Sequence, residues 1–87
     1  MNIHQIRTLE TSHLRSLHSE CVKTVDILGF SVEDAHIDLR RATAEGAPAE
    51  VLTLLRNNVR HTEEMLSQEL AFRDACREIA AERRARL

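Results

Sequence analysis

The sequence predicts an all-α protein that folds back on itself: a helical hairpin or three-helix arrangement with one long C-terminal helix and coiled-coil-like packing. Three observations carry this reading. The segment Glu45-Gly46-Ala47-Pro48-Ala49-Glu50 holds the only Pro and one of the two Gly in 87 residues. On both sides of it apolar residues recur at steps of three and four, the period of an amphipathic helix. No stretch alternates apolar and polar residues as a half-buried strand does.

The elements follow in order within what reads as a single helical domain, 1–87. A first helix is expected over about 3–28, with Ile3, Ile6, Leu9, Leu14, Leu17, Cys21, Val25 and Leu28 as its apolar set, spaced by threes and fours from Leu14 onward. Gly29-Phe30-Ser31 reads as an interruption, because Ser31 followed by Asp34 resembles an N-cap with an acidic first turn. A second helix over about 32–45 carries Val32, Ala35, Leu39 and Ala42, and is too short to hold alone, so it either docks on a neighbour or continues the first helix across Gly29. After a turn at 46–48, Pro48 suits a helix start and Glu50 complements the positive helix end. The long helix then runs over about 49–84. Its stripe is Val51/Leu52, Leu55, Val59, Thr62, Leu66, Leu70, Cys76 and Ile79, widened by Leu54, Met65, Phe72 and Ala80.

Composition narrows the function. Hydrophobic residues at 43% and charged residues at 30% describe a chain that folds rather than a disordered one. A domain this short buries roughly 60% of its extended surface, so its core is thin and a partner helps to complete it. With no Tyr or Trp and only Phe30 and Phe72, it lacks the rings that line pockets and stack on bases. A net charge of -2 gives no field for nucleic acid, although Arg77, Arg83, Arg84 and Arg86 make the tail locally basic and supply the alternative of a nucleic-acid-binding regulator. No apolar run approaches a membrane span, and the Met-Asn-Ile-His-Gln start is unlike a signal peptide, so a cytoplasmic protein is expected. Cys21 and Cys76 fall at positions of helical apolar stripes and read as small buried hydrophobes.

Chemistry-bearing patterns are sparse. Glu33 and His36 have the Glu-x-x-His spacing of di-metal helix bundles, and His61 with Glu64 gives the reverse order, so a metal-binding dimer in which these four converge is the other alternative. One chain supplies too few ligands for such a centre, and no cofactor is expected. His36 within Ala35-His36-Ile37-Asp38-Leu39-Arg40 has a displaced likeness to phosphotransfer histidines. There is no nucleophile elbow and no Gly-rich phosphate loop, so the chain does not read as an enzyme.

The stretch Leu39 to Glu50, followed by Leu52, Leu55, Val59 and Leu66, resembles the helix-turn-helix core of small type III secretion needle co-chaperones. In that family a basic-apolar helix ends at a Gly-containing turn and a Pro/Glu pair opens the next helix. The resemblance covers a third to a half of the chain. It implies a cytoplasmic hairpin that binds a helical-repeat chaperone and keeps a secreted needle subunit from assembling early. The longer N-terminal helix and the Arg-rich tail depart from the pattern. The resulting expectation is an interaction module, acting as chaperone, adaptor or anti-activator, whose long helix offers Leu55, Val59, Leu66 and Leu70 to a protein partner or to a second copy.

Overall fold

The computed structural model describes all of residues 1–87. It contains three helices and no strand: α1 Ile3–Ile6, α2 Thr11–Ala44 and α3 Ala49–Glu82. The fold is an all-α helical hairpin in which the two long helices pack against each other, and no helix is long and apolar enough to cross a membrane.

Before the turn, two helix boundaries differ from the sequence expectation. The expected interruption at Gly29-Phe30-Ser31 is absent, and α2 runs through it without a break. Ser31 caps nothing; its hydroxyl donates to the Ile27 carbonyl at 3.1 Å, the ordinary back-bond of a mid-helix serine. A single Gly in a helix costs about 1 kcal/mol, which a buried face continuing on both sides outweighs. The break lies instead between Ile6 and Thr11. There the apolar steps change from three (Ile6 to Leu9) to five (Leu9 to Leu14), so one straight helix cannot keep all three on one face. α1 is a single turn closed by a capping box: the Asn2 side chain accepts from Gln5 N, and the Gln5 side chain accepts from Asn2 N.

Both long helices end in the same way. Ala47 N donates to Ala42 O at 3.0 Å and Gly46 N to Thr43 O at 3.2 Å, with Gly46 at φ 71°. This is a Schellman motif with glycine at its left-handed position. Pro48 then precedes the first residue of α3, and its carbonyl accepts from Val51 N and Leu52 N. At the other end, Ala85 N donates to Ala80 O and Arg84 N to Ala81 O, with Arg84 at φ 53°. Here the left-handed position is not glycine, and α3 stops at Glu82 rather than near 84.

The chain comprises two compact units, Met1–Val25 with Gln68–Leu87, and Asp26–Ser67. The first, the terminal unit, is built on a contiguous core of Ile6, Leu14, Ala75, Cys76, Ile79 and Ala80, against which Leu9, Leu17 and Phe72 pack. Ile6, Leu14 and Cys76 are fully enclosed. Each large aliphatic side chain buried here contributes about 1.5–3 kcal/mol. Carbonyls freed by the break after α1 are not left unpaired, since the Arg83 guanidinium donates to Leu9 O at 2.7 Å and to Arg7 O at 2.9 Å. The turn unit, Asp26–Ser67, has a sparser interior, with Leu28, Ala35 and Val59 as its buried apolar residues.

Candidate partner-binding surface

Positions on a helix advance by about 100° per residue, so steps of three and four keep a row on one face. In the turn unit α3 carries two such rows, offset from each other by one residue. The inner row is Leu52, Leu55, Val59, Thr62 and Leu66. Val59 is buried and the other four are half-buried, so this row is the one the hairpin itself covers. The outer row is Val51, Leu54, Asn58, His61 and Met65, all of them exposed. Leu54 is 69% exposed, Met65 41% and Val51 40%.

Of the residues expected to meet a partner, Leu55, Val59 and Leu66 thus lie on the inner row, and Leu70, half-buried, lies in the terminal unit. They do not form an open surface. The exposed apolar surface of α3 is the row one residue earlier, in which the sequence reading places Val51 as an alternative start of the main stripe and Leu54 and Met65 as widening it. It missed Asn58 and His61, although counting in threes and fours from Val51 places both between the apolar members.

In each unit a polar pair bridges the two long helices. In the turn unit His36 Nε2 lies 2.7 Å from Glu63 Oε1, both half-exposed, which at this exposure contributes at most about 1 kcal/mol. In the terminal unit Arg77 Nε donates to His18 Nε2 at 3.1 Å. That bond requires the neutral imidazole with its proton on Nδ1. Burial lowers the pKa of His18 below its ordinary value, and the Arg77 and Arg73 charges lower it further.

Some of the remaining candidate groups have structural partners. His36 meets Glu63, not Glu64, and no three His, Cys, Asp or Glu side chains come together as a metal site, so Glu33, His36, His61 and Glu64 do not converge within one chain. Of the tail arginines, Arg83 closes the α1 break and Arg77 holds His18, while the Arg86 carbonyl accepts from Arg15 Nε at 2.7 Å. Cys21 and Cys76 are free and buried. Burial, and secondarily Glu69, pushes the Cys21 thiol up to about 11, and burial raises Cys76 too. Both are therefore protonated at neutral pH and behave as small apolar groups. An open concavity in the terminal unit is lined by Arg15, His18, Ser19, Val22, Lys23 and Leu87.

Fold and surface together define a class: an all-α helical hairpin with an uncovered heptad row on one of its long helices. Comparison of the chain with protein-family models, with curated proteins and with solved structures yields no match.

Proposed function

We propose that this chain is a non-enzymatic, cytoplasmic protein–protein interaction module that acts by occupancy, laying the outer row of α3 against a helix of a protein partner. The single observation supporting this is the second 3-4-3-4 row, Val51-Leu54-Asn58-His61-Met65, all of it exposed. Apolar residues at both ends would seat a partner helix, and the polar pair Asn58 and His61 between them would fix its register, as a lone polar residue does in a coiled-coil seam. Burying what remains exposed of three apolar side chains supplies about 2–4 kcal/mol, so the partner must add contacts of its own to overcome the cost of association. The resemblance of the Leu39 to Glu50 turn to needle co-chaperones gives this reading a specific form, a hairpin that shields an assembly-prone subunit together with a helical-repeat chaperone.

The test is co-purification from native lysate of the wild-type chain and of the double variant Leu54→Asp/Met65→Asp, with identification of the bound protein. The outer row is exposed, so the variant keeps its helix content. Retention of a stoichiometric protein partner by the wild type, falling at least about tenfold in the variant, is the expected result. Equal retention by both refutes the assignment.

A further inference from the structure

The outward face of α2 in the turn unit carries a pattern that is symmetric about one residue. Ile37, half-buried, lies two positions beyond buried Ala35, about 200° round the helix from it, among the exposed residues at the back of α2. Three and four residues before Ile37 stand two acids, Asp34 and Glu33; three and four residues after it stand two bases, Arg40 and Arg41. Seven residues before it is Phe30, 68% exposed, and seven after it is Ala44. All lie within about 60° of Ile37 around the helix.

We propose that this face is a self-association surface, on which α2 of a second copy of this chain packs antiparallel across a two-fold axis at Ile37. Reversing the direction of the second helix brings its bases level with the acids of the first. Residues seven apart return to within about 20° of the same side, so Asp34 meets Arg41 of the other copy and Glu33 meets Arg40. The two-fold repeats each pair, giving four pairs in all. The large Phe30 side chain lies over the small Ala44, and Ile37 meets its own copy on the axis. A parallel arrangement would set acid against acid and base against base, so the charges specify the antiparallel one.

The single chain leaves these charges unused. Glu33 and Arg40, like Asp34 and Arg41, are two turns apart, about 10.5 Å along the axis, beyond the i,i+3 and i,i+4 reach of helix ion pairs. None of the four takes part in any ion pair of the structure, and all four are exposed. This surface belongs to α2 and is distinct from the α3 row, so either can fail without the other.

Sedimentation equilibrium of the wild type and of three variants tests the inference. The wild type is expected to dimerise at about 10–100 µM, more weakly as salt rises. Glu33→Arg/Asp34→Arg makes the face wholly basic and Arg40→Glu/Arg41→Glu makes it wholly acidic; each lowers the association constant at least about 100-fold. An equimolar mixture of the two variants restores the dimer. Ile37→Asp, which leaves the four charges in place and sets two carboxylates together on the axis, also gives a monomer. Circular dichroism confirms that each variant keeps its helices. A wild type that stays monomeric up to about 500 µM, or a dimer unaffected by either charge reversal, overturns the inference. A dimer lost on Leu54→Asp/Met65→Asp but indifferent to Ile37→Asp overturns it too, and assigns association to α3.

Discussion

Alanine at the two glycines moves stability in opposite directions, and the size of each change follows from the backbone. Gly29 lies inside α2, and a Cβ built on it meets nothing within 4 Å. Gly29→Ala therefore removes a helix-interior glycine without a steric charge against it, and stabilises by about 0.8–1 kcal/mol. Gly46 also has open space around a Cβ, but its φ of 71° lies in the left-handed region. That conformation costs a residue with a Cβ about 1–2 kcal/mol, offset in part by the lower entropy of the unfolded alanine chain, so Gly46→Ala destabilises by about 1 kcal/mol. In a domain of this size each change shifts the melting temperature by about 4–8 °C, and the two variants should stand about 8–16 °C apart. Thermal and urea unfolding followed by far-ultraviolet circular dichroism measures both, with an unchanged urea slope confirming that the folded state is preserved. A neutral or destabilising Gly29→Ala refutes the continuity of α2, and a neutral Gly46→Ala refutes the Schellman turn.

Two further outcomes follow from the terminal unit. Leu14 is completely enclosed in that unit's core, so Leu14→Ala should cost about 3 kcal/mol and lower the melting temperature by about 12–24 °C, whereas Leu54→Ala on the outer row should stay within about 0.5 kcal/mol. His18 has a pKa lowered from 6.5, so the unfolded chain binds its proton more readily than the folded one. The stability that its neutral form provides is present above pH 6.5 and falls away as the pH drops below that value towards the folded pKa. Urea midpoints between about pH 5 and 7 should show this slope, and His18→Gln should reduce it; an unchanged slope in the variant refutes the role given to the Arg77–His18 bond.

The hairpin was legible because Gly46 and Pro48 are the residues that turn chemistry demands at those places, and because the inner row of α3 holds its phase. Gly29 and Ser31 misled for the same local reason: their propensities imitate a helix end. Phase was the better guide. Leu14, Cys21, Leu28, Ala35 and Ala42 keep a seven-residue spacing straight through Gly29, and a helix that broke there would lose it. Leu9 to Leu14, by contrast, loses phase with no Gly or Pro to mark it, which is where the chain does break. The exposed row of α3 was only half legible. Leu54 and Leu55 are the same residue type one step apart, and nothing within α3 says which of the two turns inward. The packing of α2 against it decides that, by covering the row of Val59 and leaving the row of Leu54 open.

The two open faces differ in what they can contribute. On α3 the outer row is almost free of charge, with Asn58 and His61 as its polar members, so binding there draws its strength from apolar burial and is little affected by salt. On α2 the face presents four exposed charges around Phe30 and Ile37. Exposed ion pairs contribute at most about 1 kcal/mol each and weaken as salt screens them, so they set orientation more than affinity. On the two proposals the chain would pair with itself weakly and in one direction through α2 while α3 stayed available to a partner. Ionic strength would then separate the two events: salt that dissolves the α2 pair is expected to leave the α3 contact in place.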